Sequence, residues 1–351
     1  MTVGPAPGAS GSLARRLAPD VVTAGLERAI EVDQTNVSVA VDESVIVKWF
    51  VPPVPHPHPG ILVLDHLRRV GFTDMPRFFA AEVVDGEVVA TVTELVPGAS
   101  DGWEWFVGEL TGWIDGTVPR ATVLHSADAL GALGGRLLLA LATPSKVIPD
   151  PVTPVEVAAL HPRWRTRLAE ALALATGDAA TTLRARVEQI EEVLHAAPRS
   201  GTTPACPIHG DLHVGQVLRA GRRLVVIDFD GNPVLEPAER HAPRPPAVDV
   251  ASFVQSVDHA GRVAQNRRPE EAERLDPLIA EAVTRVLDGY REALRVGGRS
   301  ELLDDRLLGP TRVAQELHEL VYAARHLPRW ADVPTATLRA MFPDSTPTGT
   351  H

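Results

Sequence analysis

Cysteine is nearly absent from this chain of 351 residues: Cys206 stands alone, so no internal disulfide can form. A chain without disulfides fits a reducing compartment, and we expect a cytoplasmic protein. No stretch approaches the roughly 18 uncharged apolar residues that a membrane span needs. The first twelve residues lack the basic start and the apolar core of a secretion signal, and we expect a frayed tail there.

Concentrated positive charge is also lacking. The formal net charge is −11 at pH 7, which argues against a nucleic-acid partner because binding to a phosphate backbone needs a basic surface. The densest basic patch, Arg262 with Arg267 and Arg268, is more typical of a solvated helix surface. The hydrophobic content of 44% is ordinary for a folded protein, and a chain of this length would usually divide into two lobes.

One segment carries most of the chemical information. The run 208–218, IHGDLHVGQVL, is followed by Asp228-Phe229-Asp230 at the end of an apolar stretch. A loop carboxylate can take the proton of an attacking hydroxyl, while an amide oxygen and a second carboxylate hold a divalent metal against a nucleotide triphosphate. The pattern predicts a phosphoryl-transfer centre with Asp211 as the base and Gln216 and Asp228 as Mg²⁺ ligands. Asp230 would join the metal shell or contact the substrate.

The spacing of the proposed metal ligands has a local physical reason. The run 223–227, RLVVI, is short, rich in branched residues and preceded by Ala220-Gly221, so it predicts one arm of a hairpin. The other arm would carry residues 216–218. Pairing of the arms brings Gln216 and Asp228 to the same end of the sheet, where they can share one ion.

Two other interpretations of these residues remain open. A lone His-Gly-Asp is more often a turn, and a lone aspartate after a strand is more often a helix cap. Alternatively, His209, Asp211 and His213 could be the zinc ligands of a hydrolase, since imidazole and carboxylate groups suit zinc. The zinc interpretation leaves Gln216 and Asp228 unexplained.

The segment from His209 to Asp230, and its continuation through Ala238-Glu239-Arg240 to residues 247–251, resembles the maltokinase branch of the aminoglycoside-phosphotransferase-like kinases. The resemblance implies an α+β, two-lobed, eukaryotic-protein-kinase-like fold, with a small cap, a β-rich N-lobe and a mostly helical C-lobe. ATP would be the donor. By the same resemblance Asp211 matches the catalytic base, Gln216 a metal-binding Asn or Gln, and Asp228 the aspartate of the metal-binding motif.

An N-terminal hairpin carries a lysine. Residues 37–41, VSVAV, alternate apolar with polar side chains, and residues 45–50, VIVKWF, predict the second strand. A lysine in an apolar strand is costly to bury without an anion, which a nucleotide phosphate would supply, although a solvated position is equally open. The resemblance favours phosphate binding by Lys48. It also assigns three polar side chains of the loop 33–38 to the nucleotide: Gln34, Asn36 and Ser38.

Three further elements surround this hairpin. Residues Ser12–Ile30 would form a small cap helix before the first strand. The stretch Pro52–Pro59 contains five prolines, which predicts a stiff extended connector. The helix predicted over Gly60–Val70 offers only Asp65 as a partner for Lys48, so that pair stays open.

Residues 77–93 predict two strands around an Asp85-Gly86 turn, and the pattern then breaks. The run 94–103 resembles the hinge of maltokinases, so we expect adenine contacts at Glu94 and Val96. The predicted domains are a cap and ATP-binding N-lobe over residues 1–96, and a helical C-lobe over residues 97–351. The C-lobe would carry the catalytic loop and the sugar-binding helices.

The last informative segment is 313–330, VAQELHELVYAARHLPRW, which predicts an amphipathic helix. Its charged face would usually be only solvated, but maltokinases have a corresponding helix, ending in Arg, Pro and Trp, that faces the acceptor sugar. Relative to maltokinases this chain gains a carboxylate and loses a cation, which favours a cationic sugar and resembles actinobacterial glucosamine kinases. The expected acceptor residues are His213, Asp230, Gln315, Glu316, Glu319, Tyr322 and Trp330.

Together these patterns predict a monomeric kinase that uses ATP and Mg²⁺ to convert glucosamine to glucosamine 6-phosphate. A maltokinase forming maltose 1-phosphate and a related aminoglycoside phosphotransferase are the alternatives. A non-catalytic, nucleotide-binding pseudokinase is a further hypothesis, and intact Lys48, Asp211, Gln216 and Asp228 count against it.

Overall fold

The structure is a computed structural model that describes residues 5–30, 36–232, 235, 237–240 and 242–343. The strands are β1 Glu27–Ala29, β2 Val37–Val41, β3 Val45–Pro55, β4 Phe78–Val84, β5 Glu87–Glu94, β6 Thr153–Glu156, β7 Thr202–Ala205, β8 Val217–Ala220 and β9 Arg223–Val226. The helices are α1 Ala9–Leu17, α2 Pro59–Arg69, α3 Gly102–Ile114, α4 Arg120–Leu141, α5 His161–Leu174, α6 Gly177–Ala185, α7 Val187–Ala196, α8 Pro237–Arg240, α9 Ala247–Arg267, α10 Ala272–Val296, α11 Leu308–His326 and α12 Asp332–Met341.

The chain forms two compact units. The first contains the described residues of Met1–Asp101, Ala140–Pro151 and Gln216–Ala242, and the second contains those of Gly102–Leu139, Val152–Gly215 and Pro243–His351. The first holds a five-stranded antiparallel sheet in the order β1-β2-β3-β5-β4, together with the hairpin β8-β9. The second is mainly helical. The predicted combination of a β-rich N-terminal part and a helical C-terminal part is therefore confirmed.

The tight hairpins of the first unit follow the sequence closely. β2 and β3 pair with Ser38 opposite Lys48, and Asp42 and Glu43 turn between them with φ of 51° and 49°. Positive φ at both central residues matches the right-handed twist of the strands. The Asp85-Gly86 turn between β4 and β5 has the same character. Both predicted hairpins are confirmed.

The N-terminal cap differs from the prediction. α1 covers Ala9–Leu17, so it starts inside the expected tail and ends well short of the helix predicted over Ser12–Ile30. Pro19 follows two residues after the helix, and a proline cannot supply the amide that a longer helix would need. From Glu27 the chain pairs with β2 as a strand, and the Glu27 carboxylate accepts a hydrogen bond of 2.7 Å from the backbone N–H of Gly11 in the first turn of α1.

The proline-rich stretch is only partly the predicted connector. β3 continues through Val54 and Pro55, which pair with Val88 and Glu87 after an irregularity in the register. Within the described residues, the pairing of β3 with β2 ends at Trp49. Beyond that residue β3 needs backbone donors toward β5 alone, and a strand that is paired on one side tolerates proline.

Helix α9 forms the centre of the second unit. It packs against α3, α10, α11 and α12, and most of its residues are buried. Arg262 was expected on a solvated surface with Arg267, which is wrong: its side chain is buried between the carboxylates of Asp258 and Asp276, at 3.1 and 2.6 Å. Within the part of the chain that the structure describes, no helix combines the length and the apolar character that crossing a membrane requires.

Candidate active site

A buried aspartate holds the loop that carries Asp211 by hydrogen bonds to the loop backbone. Asp249, in the first turn of α9, accepts hydrogen bonds from the backbone N–H groups of His209 (2.7 Å) and Gly210 (2.9 Å). Gly210 adopts a φ of 83°, where a side chain would be strained. Burial raises the pKa of Asp249, and the two N–H groups and the nearby His209 oppose that rise. The anchor fixes the backbone immediately before Asp211.

The continuation of this loop is fixed in the same way. Ser256, two turns further along α9, accepts a hydrogen bond of 2.8 Å from the backbone N–H of Val214. The carbonyl of Val214 lies against Gly102 so closely that a Cβ there would come within 1.8 Å of the oxygen. Only glycine fits such an approach. Asp249 and Ser256 were not among the predicted site residues. The pattern that could have indicated them is a carboxylate and a hydroxyl on one face of the same helix.

The second imidazole of the loop lies near the predicted base. His213 Nε2 is 3.9 Å from Asp211 Oδ2, while the Nδ1 of His209 accepts the backbone N–H of Asp211 at 3.3 Å. Within the described residues, no group of three or more His, Cys, Asp or Glu side chains is arranged to hold a metal. The zinc interpretation of His209, Asp211 and His213 is therefore not supported.

In the first unit, Lys48 is paired. Its Nζ lies 2.5 Å from Oδ2 of Asp230. Burial alone lowers the pKa of Lys48, but the carboxylates of Asp230 and Asp228 outweigh that effect and raise it, so the lysine remains a cation. Asp65, the alternative partner on α2, is occupied instead by Arg68 and Arg69 at 2.5 and 2.7 Å.

The predicted hairpin of the metal ligands is confirmed. β8 and β9 pair with Val217 opposite Val226, and the backbone N–H of Ile227 donates to the carbonyl of Gln216 at 2.9 Å. Gln216 and Asp228 thus flank the same end of the hairpin. Asp228 has a φ of 64°, a conformation that is uncommon for aspartate and re-aims the chain just after the strand.

The oxygen donors of this hairpin end suit Mg²⁺. Gln216 offers an amide oxygen and Asp228 a carboxylate, while Asp230 is shared with Lys48. Mg²⁺ is usually held by one or two carboxylates, with substrate phosphates and water completing its shell. The residues present therefore fit this ion, and their role as ligands stays a prediction.

The hinge residues are partly engaged within the first unit. The Glu94 carboxylate pairs with Arg223 at 2.5 Å and accepts the backbone N–H of Arg77 at 2.9 Å, which lowers the pKa of Glu94. The backbone N–H of Glu94 donates to Arg77 and that of Leu95 to Ser44. An adenine contact of Glu94 would therefore have to use its carbonyl oxygen. That contact and the one at the buried Val96 stay predictions.

The polar loop before β2 is described only in part. Ser38 lies opposite Lys48 in the sheet, and Asn36 precedes β2. Gln34 lies outside the described residues. The nucleotide roles of the three side chains stay predictions.

In the second unit, the predicted acceptor helix is α11, followed by a short 3₁₀ turn over Pro328–Trp330. Glu319 accepts hydrogen bonds of 3.1 Å from Gln315 Nε2 and from the indole N–H of Trp330. Trp330 meets the ring of Trp103 edge to face, with centroids 5.8 Å apart, and Trp103 lies 6.2 Å from the ring of His213. These contacts bring His213, Gln315, Glu319 and Trp330 into one connected group.

Of the remaining three acceptor residues, Asp230 belongs to the first unit, where it pairs with Lys48, and the other two lie on α11 outside the connected group. Glu316 is completely buried and lies 3.1 Å from His259 Nε2, while Tyr322 contacts the ring of His326. The ring of His259 also stands edge to face against Trp330, at 5.7 Å. Trp103 and His259 were missing from the predicted site, since both lie far from α11 in the chain; His259 is 57 residues from its partner Glu316.

Glu316 and His259 form a buried ion pair, and the ring of His259 contacts Trp330. Burial lowers the pKa of His259, but the Glu316 carboxylate, helped by Glu319 and Asp258, outweighs it and raises the pKa to about 9. Burial raises the pKa of Glu316 to about 7 against the opposing effect of His259. The histidine therefore carries a positive charge near neutral pH, and its partner Glu316 lies one helical turn from Glu319 on α11.

Comparison with known proteins shows which family the chain belongs to. The phosphotransferase enzyme family matches residues 28–290. Glucosamine kinases of Streptacidiphilus jiangxiensis and Mycolicibacterium smegmatis are 40% and 38% identical over 330 and 335 residues, covering 91% and 93% of this chain and 74% and 82% of theirs. A solved glucosamine kinase in complex with glucosamine, ADP and inorganic phosphate superposes with a TM-score of 0.82 at 38% identity, covering 91% of this chain and 80% of that one. These matches confirm the predicted two-lobed kinase-like fold, and the chain belongs to the phosphotransferase enzyme family.

Proposed function

We propose that this protein is an ATP-dependent glucosamine kinase that forms glucosamine 6-phosphate. The observation that carries the proposal is the solved relative with glucosamine, ADP and inorganic phosphate, which matches nine-tenths of this chain. The chain retains the side chains that such a transfer requires: Lys48, Asp211, Gln216 and Asp228. Their presence supports an enzyme over a non-catalytic nucleotide-binding relative.

Asp211 is the proposed general base. It would accept the proton of the attacking sugar hydroxyl as the phosphoryl group is transferred. Asp249 holds the backbone on its N-terminal side by two hydrogen bonds, and Ser256 holds it three residues later. Fixing the loop at both ends keeps the carboxylate in one position, which limits the freedom lost on reaction.

Lys48 is the proposed phosphate-binding cation. Its pairing with Asp230 keeps the ammonium charged and in place while no phosphate is bound. Phosphate oxygens would share the ammonium with Asp230, because a lysine has three donors. Mg²⁺, when bound, would neutralise charge on the transferred phosphoryl group, with Asp228 and Gln216 as its ligands and Asp230 beside them.

Glu319 is the proposed partner of the sugar ammonium. Of the two glutamates predicted for this role, Glu319 is partly exposed and fixed by Gln315 and Trp330, whereas Glu316 is fully buried against His259. A carboxylate fixed by two donors can accept further hydrogen bonds. Trp330 and Trp103 offer apolar ring surface next to it, which suits the C–H faces of a sugar.

The test is ADP release from ATP with a panel of acceptors: glucosamine, glucose, N-acetylglucosamine, maltose and kanamycin. Glucosamine should give the highest kcat/KM, and the product should carry phosphate on the 6-hydroxyl by NMR. N-acetylglucosamine is the critical comparison because it retains every hydroxyl but lacks the ammonium. Preference for maltose would establish the maltokinase alternative, and no turnover with any acceptor would establish the pseudokinase.

A further inference from the structure

The second unit contains a cavity of about 750 Å³ that none of the residues assigned to phosphotransfer lines. Its walls come from helices α7, α9, α10, α11 and α12. Sites for small organic molecules typically have volumes of about 300–1,000 Å³. The cavity therefore has the size of a ligand site.

The charged lining of the cavity is mostly satisfied by its own pairs. Arg262 lies between Asp258 and Asp276, and Arg339 pairs with Asp178 on its exposed side. Asp258 also accepts the hydroxyl hydrogen of Thr337 at 2.7 Å. The two carboxylates that line the cavity are thus committed to donors of the protein.

Arg312, in the first turns of α11, is the exception. Its Nε is buried and has no hydrogen-bond partner within the described residues, and its guanidinium forms no ion pair there. Burial lowers the pKa of Arg312, and the more distant carboxylates of Asp258 and Glu316 oppose that effect only partly. A guanidinium whose Nε–H is buried without a hydrogen-bond partner is costly. An anion in the cavity would supply the partner that the protein itself does not.

We propose that this cavity binds a small organic phosphate monoester, with the phosphate on Arg312. A guanidinium presents its N–H groups as a fork that suits two phosphate oxygens. Free phosphate would leave most of a 750 Å³ space unfilled. The apolar side chains of Val193, Val283, Val313 and Phe342 line the remainder and suit the carbon part of an ester.

This phosphate site is separate from the proposed kinase activity, and the proposal does not depend on which sugar is the acceptor. Its connection to the acceptor residues is α11 itself. Arg312 precedes Glu316 by one helical turn, and Glu316 precedes Glu319 by a further turn. The phosphate site and the proposed amine contact are therefore built on the same helix.

Calorimetric titration of the full chain with glucose 6-phosphate and with inorganic phosphate tests the proposal. Wild type, Arg312→Met and the matched control Arg267→Met are compared; Arg267 is exposed and lies outside the cavity. The ester should bind wild type and the control equally and bind Arg312→Met about 10- to 100-fold more weakly, the range expected for a charge-assisted hydrogen bond. Inorganic phosphate should show the same dependence on Arg312 with lower affinity.

Ala280→Trp provides a second test that leaves Arg312 in place. Ala280 is an exposed residue of α10 at the cavity, so a large side chain there fills ligand space without entering the core. This substitution should lower the affinity for the ester more than the affinity for inorganic phosphate. Equal ester affinity in wild type, Arg312→Met and Ala280→Trp would assign all binding to the phosphotransfer residues and overturn the proposal, as would the absence of ester binding to wild type. Glucosamine turnover, assayed separately, tests the proposed function independently.

Discussion

The proposed contact between Glu319 and the sugar ammonium can be tested directly through the choice of acceptor. Glu319→Gln removes the negative charge but keeps the size and shape of the side chain. If the carboxylate holds the ammonium of glucosamine, the variant should lose much of its preference for glucosamine over glucose. Activity toward glucose should change little, because glucose has no cation at that position.

The expected size of the effect follows from the contacts of the carboxylate. Each oxygen of Glu319 already accepts one hydrogen bond of 3.1 Å, from Gln315 and from Trp330. A carboxylate offers about four acceptor positions, so about two remain for the ammonium. A charge-assisted hydrogen bond contributes about 1.5–3 kcal/mol, or one to two powers of ten in kcat/KM. Because Glu319 is partly exposed, screening by solvent favours the lower end, about tenfold.

The assay is the ratio of kcat/KM for glucosamine to that for glucose, measured by coupled ADP release. Glu316→Gln is the informative comparison, since Glu316 is buried against His259, and it should leave the ratio nearly unchanged while lowering stability. Glu191→Gln, an exposed position on α7, controls for the loss of one charge. A wild-type ratio in Glu319→Gln would refute the assignment, and a ratio reduced only in Glu316→Gln would transfer the amine contact to that residue.

Three further predictions concern the base, the metal and the buried pair. Asp211→Asn should lower kcat about 10²- to 10⁴-fold with ATP affinity retained in calorimetry; near-normal turnover would contradict the role of base. Asp228→Ala should weaken ATP binding in the presence of Mg²⁺ and not in its absence. If wild type and variant bind ATP equally well under both conditions, Asp228 is not a metal ligand. The pKa of His259 is about 9 when folded and about 6.5 when unfolded, so the folded state binds more protons between these values. Its stabilising effect is complete below pH 6.5 and is lost as the pH rises toward 9; urea titrations across this range should show the decline, and Glu316→Gln should flatten it.

Local patterns in the sequence determine much of the fold by themselves. Alternating apolar residues and the turns at Asp42-Glu43 and Asp85-Gly86 specify two hairpins of the sheet, because strand pairing of this kind depends on neighbours in the chain. The run 216–227 specifies the hairpin β8-β9 in the same way. The cap helix predicted over residues 12–30 is wrong because the composition of that segment gives no signal that Glu27 pairs with β2.

Side-chain partners distant in the chain are decided only by tertiary packing. The sequence identifies Lys48 and offers Asp65 as a partner, yet Lys48 pairs with Asp230, which is 182 residues away. Likewise, helical spacing places Glu316 and Glu319 on the same segment, but the packing of α11 against α9 buries Glu316 at His259 and leaves Glu319 beside Trp330.

The physical reason is the range over which each interaction acts. Hairpin turns and the periodicity of apolar residues are set by residues a few positions apart, so the sequence by itself specifies them. The orientation of a charged side chain depends on which opposite charge comes within a few ångströms after the chain has collapsed, and burial then decides its protonation. The sequence therefore determined which chemical groups this kinase relative possesses, and the tertiary structure determined which of them face each other.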